Sequence, residues 1–190
     1  MKPLHRPEHM KNIILPVVAL LLCGSAIAQD NQDLIAAAVE AAPVQLRENA
    51  TVVQIGADGT RTVLRQGSNG LTCRTDMLPT PPYLVRCHPS SMESLFDRMD
   101  TLIQVDGLWG DKLLEASLKS MRDDNLPTPS AGTTTYLFVG PDREAASRLT
   151  AVMIPMTSGA DLGLGEAEEP DRPWLMWGGT ALGHIMISGM

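Results

Sequence analysis

The stretch LRQGSNGLTCRTD, residues 64–76, carries a Gly-type turn and the first of two closely spaced cysteines, and VRCHPSS, residues 85–91, carries the second. Cys73 and Cys87 are 14 positions apart. Such a pair can form a disulfide, hold a metal or do chemistry. Which of these uses a cysteine pair serves depends on the compartment in which the chain works.

The N-terminal segment predicts export. From Met10 the chain reads MKNIILPVVALLLCGSAIAQD, with one lysine, an apolar run over 13–22, and the small residues Ala26-Ile27-Ala28. This is the pattern of a secretory signal peptide with an A-x-A cleavage site, and the run is too short to span a membrane. We predict that residues 1–28 are cleaved, with Met10 the better start, and that residues 29–190 form a single α+β domain.

Cleavage would change both the charge and the set of reactive side chains. It would take the net charge from −7 to −9 and leave two cysteines and two histidines, His88 and His184. Because phosphate binding needs a basic patch, the acidic chain predicts no nucleic-acid partner. No later stretch approaches the roughly 20 apolar residues of a membrane span, so the mature chain is predicted to have no transmembrane segment and to be periplasmic or secreted. Cys23 fits a lipid anchor poorly, since Leu22 stands where a small residue is required.

The two remaining cysteines are interpreted as a disulfide. A pair with no cysteine left over is typical of one in an exported chain, and the bridge would close a 15-residue loop, worth about 3 kcal/mol in the chain-entropy model. The intervening RTDMLPTPPYLVR has three prolines and no helical or strand period, so we expect a loop that the disulfide ties to the start of the next helix. Two alternatives remain: a zinc site, for which only His88 lies beside Cys87, and a nucleophilic thiol.

Hydrophobic periodicity predicts helices mixed with antiparallel hairpins. Helices are predicted over 30–42, 90–104 and 111–123. Strands are predicted over 51–55, 60–65, 71–74, 133–140, 173–178 and 183–188. We therefore predict an α+β fold with a mostly antiparallel sheet of about five to six strands, packed by two or three helices.

Local signals refine two of these elements. Asp58-Gly59 and Asn69-Gly70 are turn dipeptides, so the first three strands are predicted to form a meander. Ser90 and Glu93 have the spacing of a capping box at the start of the second helix. The apolar residues that follow recur at helical spacing, so one face of that helix is expected to pack on the sheet.

A set of spaced motifs carries a resemblance: VLRQGSNGLTC, a later cysteine, Met92-Glu93, YLFVGPD and a closing GHIMI. The set covers about Val63 to Ile187 and resembles an uncharacterised family of small secreted bacterial proteins with an LRxGxNGxxC stretch, a second Cys and a C-terminal HxMI motif. The chain departs from the group's pattern before His184, where Leu182-Gly183 replaces Gly-Pro, and around 143–170. The group has no established activity, so the resemblance implies an exported family without supplying a function.

The strand GHIMIS predicts a candidate site. Alternation puts His184, Met186 and Ser188 on one face, with the isoleucines between them on the other. Two interpretations of His184 are open: a structural, hydrogen-bonded residue, or a general acid or base. The candidate partners for the functional interpretation are Asp142, Asp76 and Trp177.

No cofactor is predicted, and the metal candidates are weak. Thioether and imidazole ligands suit Cu(I), which makes His184 and Met186 a candidate pair, although methionine is also a filler of apolar cores. The acidic loop from Ser158 to Pro173 lacks the EF-hand spacing and is predicted to be solvated, with a weak calcium site as the alternative. The G-x-S-x-G and H-E-x-x-H motifs do not occur.

Together these patterns favour a small exported binding or interaction module, with a small molecule or a protein as its partner. The alternative is a small hydrolase-like enzyme in which His184 works with a carboxylate. A cavity at His184 with a carboxylate in hydrogen-bond reach would favour the enzyme. A His184 buried against backbone with no cavity beside it would exclude it.

Overall fold

The computed structural model describes four stretches of the chain: residues 29–56, 58–75, 82–169 and 171–189. By its contacts the chain divides into two units, Met1–Asp33 and Leu34–Met190. In the first unit the described residues, 29–33, are helical. The predicted signal peptide with its Met10 start, and the candidate residue Asp76, lie outside the described residues. Every element named below belongs to the second unit.

The second unit is α+β, as predicted, with eight strands in one sheet. Its helices are α1 (34–38), α2 (Val44–Arg47), α3 (Glu93–Gln104), α4 (Gly110–Asp123) and α5 (Gly159–Leu162), with 3-10 turns at Val39–Ala41 and Ser90–Met92. Its strands are β1 (Thr51–Ile55), β2 (Arg61–Arg65), β3 (Leu71–Arg74), β4 (Tyr83–Pro89), β5 (Thr134–Gly140), β6 (Ser147–Met153), β7 (Trp174–Met176) and β8 (His184–Ser188).

The predicted count of five to six strands is wrong, because the sequence patterns miss β4 and β6. In β4 the five central residues are all buried, and a strand buried on both faces shows no alternation of apolar and polar residues. The other missed strand, β6, opens with the exposed residues Ser147 and Arg148, so its first half resembles a polar loop.

The sheet is mixed, and its order is β2-β1-β3-β4-β5-β6-β8-β7. Among the described strands, β1 and β3 pair in parallel and the other pairings are antiparallel. Since β1 lies between β2 and β3, the predicted meander is wrong and Asn69-Gly70 is not a hairpin turn. The chain crosses the end of β1 instead, where Ser68 N donates to Asn49 O at 2.8 Å. Gly67 permits this crossing, because a Cβ there would lie 2.3 Å from the backbone of Asn49.

The Cys73–Cys87 disulfide is confirmed. The two cysteines lie directly opposite each other in β3 and β4, with their Cα atoms 4.0 Å apart, and both are fully buried. The prediction that the whole segment between the cysteines is a loop is wrong, because its last residues belong to β4 (Tyr83–Pro89), which includes Cys87 and leads into the turn before α3. The disulfide therefore joins two neighbouring strands at the centre of the sheet.

Helices pack on both faces of these central strands. On the disulfide face, α1 and the first 3-10 turn bury Ile35 and Val39 against β1, β3 and β4. On the opposite face, α3 and α4 bury Leu95, Leu102 and Leu113, which confirms the predicted apolar face of α3. Within the described ranges, no helix is both long enough and apolar enough to cross a membrane.

Candidate functional site

A large apolar cavity lies between the sheet and the helices α3 and α4. Its volume is about 570 Å³, within the range of small-molecule binding sites. Strand β5 contributes Thr135, Leu137 and Val139 to its wall, and α3 contributes Leu95, Phe96 and Met99. The wall is therefore built mainly from aliphatic, aromatic and thioether side chains.

Strand pairing explains why residues that are distant in the sequence share this wall. Residues directly opposite each other on neighbouring strands point to the same face of a sheet. Met153 of β6 pairs with His184 of β8, and His184 pairs with Met176 of β7. The next row of the same wall is Ala151, Met186 and Trp174.

Few polar side chains line the cavity. Arg86, Thr135 and His184 are buried on the sheet side, whereas Glu166 and Glu168 are exposed to solvent. This combination of an apolar wall and a small number of placed polar groups is typical of sites that bind and orient a small ligand.

His184 both bonds to backbone and faces the cavity. Its Nδ1 donates a hydrogen bond to Leu182 O at 2.8 Å, and its ring meets that of Trp177 edge to face at 5.4 Å. Burial lowers the pKa of His184, so the imidazole is neutral at pH 7. With the proton on Nδ1, Nε2 is an acceptor. Of the predicted face, His184 and Met186 line the cavity and are buried.

The structure does not bring Asp142 to His184. Asp142 lies exposed in the turn after β5, where its Oδ1 accepts a hydrogen bond from Ala145 N at 2.8 Å. His184 is at the other end of the β5–β6 pair, beside Met153, and the length of β5 separates the two ends by roughly 20 Å. Within the described ranges no carboxylate is hydrogen-bonded to His184.

The two candidate metal ligands, His184 and Met186, both lie on the cavity wall and are buried, and Met153 lies beside them. In the described part of the chain, no group of three or more His, Cys, Asp or Glu side chains is placed to hold a metal ion. The predicted acidic loop begins with α5, and a capping box with Ser158 occupies the carboxylate of Asp161.

A buried ionic cluster, which the sequence patterns did not predict, lies under α3. Its members are Arg74, Arg86, His88, Glu93, Asp97 and Asp100. Arg74 Nη1 is 2.6 Å from Asp100 Oδ2, and both residues are fully buried. The other terminal nitrogen of Arg74, Nη2, is 2.6 Å from Asp97 Oδ1 and 3.0 Å from Glu93 Oε1. Arg86 contacts Asp100 and lies over the ring of Phe96 at 4.3 Å.

Two sequence signals could have found the ionic cluster. Arg74 directly follows Cys73, and Arg86 directly precedes Cys87, so strand alternation puts both arginines on the face opposite the disulfide. The acids recur at i, i+4 and i+7 along one stripe of α3, as Glu93, Asp97 and Asp100. A stripe of acids on a helix ordinarily indicates a solvent-exposed face, which is why the pattern was not informative without the strands.

The predicted capping box of α3 is wrong, because its two side chains serve other partners. Ser90 lies in the 3-10 turn before the helix, with its Oγ 2.9 Å from Thr72 Oγ1. Glu93 is the first residue of α3, and its carboxylate accepts hydrogen bonds from Arg74 and His88. Neither side chain makes a capping hydrogen bond to the start of α3, because each is held by a side chain of β3 or β4.

Titration of the ionic cluster is strongly perturbed. Burial lowers the pKa of His88 to about 3 against the hydrogen bond to Glu93, so His88 is neutral at pH 7 and its Nε2–H donates to Glu93 Oε2 at 3.1 Å. Burial alone would raise the pKa of Glu93, but the His88 hydrogen bond and the charge of Arg74 lower it to about 2. Burial raises the pKa of Asp100 against the two arginines beside it.

Comparison of the chain with protein families, with curated proteins and with solved structures finds no match. The fold and the site together define a small α+β protein with a disulfide at the centre of its sheet. Its two candidate functional sites are the apolar cavity and the ionic cluster beside it.

Proposed function

We propose that this chain is a small exported binding module that holds an apolar small molecule in its cavity. The observation that carries the proposal is the cavity of about 570 Å³ with its apolar wall and few polar groups. Small-molecule sites have this size and this lining. An apolar ligand would remove the aliphatic and aromatic surface of the wall from water, which is the main favourable term in such binding.

Export is supported by the signal-peptide pattern before residue 29 and by the Cys73–Cys87 disulfide. Disulfides persist in oxidising compartments such as the periplasm or the cell exterior. The GSNGLTC stretch and the closing GHIMI also support a place in the family of small secreted bacterial proteins that these motifs resemble. An exported binding module meets its ligand outside the cytoplasm.

The hydrolase alternative has less support. A histidine base requires a partner that orients it, and in hydrolases this is commonly a carboxylate. In the described part of the chain, His184 Nδ1 bonds to the Leu182 carbonyl instead, and Asp142 lies at the far end of the strand pair. Turnover of p-nitrophenyl esters by the wild type, abolished by His184→Gln, would reverse this preference for a binding module.

The binding proposal is tested with N-phenyl-1-naphthylamine, a neutral fluorophore whose emission rises in apolar surroundings. We expect saturable binding by the exported wild type and at least a tenfold weaker affinity for Ala151→Phe, because Ala151 lies on the cavity wall. The matched control is Val152→Phe, whose side chain lies on the opposite face of the same strand, and it should bind as the wild type does. No saturable binding, or equal loss in both variants, would contradict the proposal.

A further inference from the structure

The residues that line the cavity differ in their exposure to solvent. Leu95 and Ala151 are buried and belong to what we call the floor of the cavity. Trp109, which is 43% exposed, and the exposed Glu166 and Glu168 also line it. An exposed residue in the lining lies where the wall meets solvent, so these three residues define the mouth of the cavity. A ligand in the cavity can therefore reach their side chains.

The segment that carries the two glutamates is held beside the last strand of the sheet, β7. Leu175 N donates a hydrogen bond to Gly165 O at 2.8 Å, which fixes the backbone just before Glu166. A Cβ at Gly178 would lie 3.2 Å from Glu166 Oε1, so this carboxylate lies beside the residue that follows Trp177. Because Trp177 also lines the cavity, the charge of Glu166 is held close to the wall.

The negative charge at the mouth is not matched within the protein. In the described part of the chain no cation pairs with Glu166 or Glu168, whereas their neighbour Glu169 pairs with Arg172. An unmatched pair of carboxylates at the rim of an apolar cavity attracts cations and repels anions. The mouth therefore favours a ligand with a positive charge at its exposed end.

The floor of the cavity offers nothing to an anionic ligand. Arg86 is the only basic residue among the described residues that line it, its guanidinium contacts Asp100, and its Nε is fully buried. Thr135 Oγ1 is fully buried as well, and His184 is neutral. An anionic group moved to the floor would lose its hydration without gaining a free cation.

All three tryptophans of the chain line the cavity: Trp109, Trp174 and Trp177. Tryptophan is the side chain whose ring face attracts a cation most strongly. Trp174 is 5% exposed and belongs to the floor, whereas Trp109 stands at the mouth. The start of α4 beside Trp109 carries one charge of each sign, Asp111 and Lys112, so it does not cancel the acidic charge opposite. The mouth thus combines carboxylates with an accessible indole ring.

We propose that the ligand is a cationic amphiphile, with its hydrocarbon part on the floor of the cavity and a positively charged ammonium group at the mouth, beside Glu166, Glu168 and Trp109. Its chain gains from leaving water, and its charge stays partly solvated between the carboxylates and the indole ring. This inference rests on the proposed function and narrows it, from an apolar small molecule to an alkylated amine or quaternary ammonium compound.

The test is displacement of N-phenyl-1-naphthylamine from the exported protein at low ionic strength by decyltrimethylammonium, decyl sulfate and decanol, each below its micelle-forming concentration. The three probes share one alkyl chain and carry, respectively, a positive charge, a negative charge and none. We expect the cation to bind about tenfold more tightly than the sulfate, since each exposed ion pair or cation–π contact is worth at most about fivefold.

The variants assign this preference to the mouth. Glu166→Gln combined with Glu168→Gln removes both charges and keeps the side-chain shape, so it should weaken binding of the cation about five- to tenfold, with a smaller effect on decanol. Trp109→Leu should lower the ratio of cation to decanol affinity about two- to fivefold. The matched control is Glu48→Gln combined with Glu144→Gln, which removes the same net charge from exposed positions that do not line the cavity. It should change each affinity by less than about twofold, because distant exposed charges are screened.

The outcomes separate this inference from the proposed function. Equal or tighter binding of the sulfate, displacement by none of the probes, or no loss of cation binding in the Glu166 and Glu168 variant overturns the cationic assignment, while binding of the fluorophore still supports an apolar site. An equal loss in the control variant also overturns it, because the preference would then come from the overall charge of the chain. Absence of fluorophore binding overturns both proposals. A loss of cation binding confined to the mouth variants supports the assignment.

Discussion

One face of the sheet contains two regions of different character: one holds buried charged side chains, and the other is mainly apolar. Under α3, on β3 and β4, each charged side chain of the ionic cluster lies beside one of opposite sign. Over β5 to β8 the cavity wall is built mainly from apolar side chains. Arg86 belongs to both regions, because it contacts Asp100 in the ionic cluster and is also among the residues that line the cavity.

The difference indicates which region stabilises the fold and which is available for a ligand. Buried charges that are matched to each other are expensive to separate, because removing one leaves the other desolvated and unpaired. A wall that borders a cavity has fewer packing partners to lose, so substitution there costs less. Variants in the two regions should therefore separate into those that unfold the protein and those that change only binding.

The largest effect is expected from Asp100→Asn. Asp100 is fully buried between Arg74 and Arg86, so removing its charge leaves two buried guanidinium groups poorly compensated. Breaking a buried pair in this way should lower the free energy of unfolding by about 3 to 5 kcal/mol, measured by urea denaturation. Asp97→Asn is the control and should cost less, because Asp97 is partly exposed and Arg74 still has Glu93 and Asp100 beside it. A loss for Asp100→Asn no larger than that for the control would contradict the special role of the buried Asp100.

The second-largest effect is expected from removing the disulfide, which lies on the opposite face of the strands that carry the arginines. Cys73→Ala combined with Cys87→Ala is expected to lower the free energy of unfolding by about 3 kcal/mol, through greater freedom of the unfolded chain. The measurement is urea unfolding with and without dithiothreitol. The reductant should destabilise the wild type and leave the double variant unchanged. A wild type insensitive to reductant would contradict the expected contribution.

The third-largest loss of stability is expected from acidification, which acts mainly through the ionic cluster. The folded-state pKa of His88 is about 3, below the ordinary value of about 6.5. Below pH 6.5 the unfolded chain therefore binds a proton at His88 that the folded chain does not bind until the pH approaches 3. The contribution of His88 to stability is therefore complete above pH 6.5 and falls as the pH drops toward 3, by roughly 2 kcal/mol between pH 7 and pH 5, whereas the raised pKa of Asp100 acts in the opposite direction. Glu93, with a lowered pKa of about 2, adds a further loss below pH 4.5.

Urea unfolding at pH 7 and pH 5 measures this loss, and His88→Gln is the matched variant. Glutamine can still donate a hydrogen bond to Glu93 but does not titrate, so the variant should show a smaller difference between the two pH values than the wild type. The lowered pKa of His184 acts in the same direction and remains in both proteins. An identical pH dependence in the two proteins would remove His88 as the cause.

The smallest effect is expected on the cavity wall. Leu137→Ala enlarges a space that already exists, so its cost should be about 1 kcal/mol, below the roughly 2 to 5 kcal/mol typical of leucine truncation in a filled core. Leu102→Ala, at a site 3% exposed in the core under α3 and α4, is the control and should fall in that higher range. Equal costs would mean that Leu137 is packed as tightly as Leu102, against the contrast between the two regions.

Much of the fold could be predicted from local patterns. The apolar stripe of α3 and the β-branched runs of β1 to β3 are properties of short segments, and the structure has them at the predicted places. The order of those strands could not be predicted, because a turn dipeptide such as Asn69-Gly70 does not show whether another strand lies between the two strands that it connects. Burial of β4 on both faces removed the alternation that would have revealed it.

The candidate site was predictable in part. Strand alternation correctly put His184 and Met186 on one buried face, since the period of two is a local property of the backbone. Their neighbours Met153 and Met176 come from other strands and depend on pairing. Asp142 was a reasonable partner on its chemistry alone, and the register of β5 and β6 places it far from His184.

The sequence by itself determined the disulfide, the class of fold and the amphipathic helix, because each depends on residue types or on periods within a segment. Only the tertiary structure decided that Arg74 and Arg86 contact the acids of α3, and that apolar side chains from β4 to β8 line a common cavity. The physical reason is that charge pairing and cavity formation depend on distances across strands and layers. Residues as far apart in the chain as Arg86 and His184 line the same cavity only once the sheet has formed.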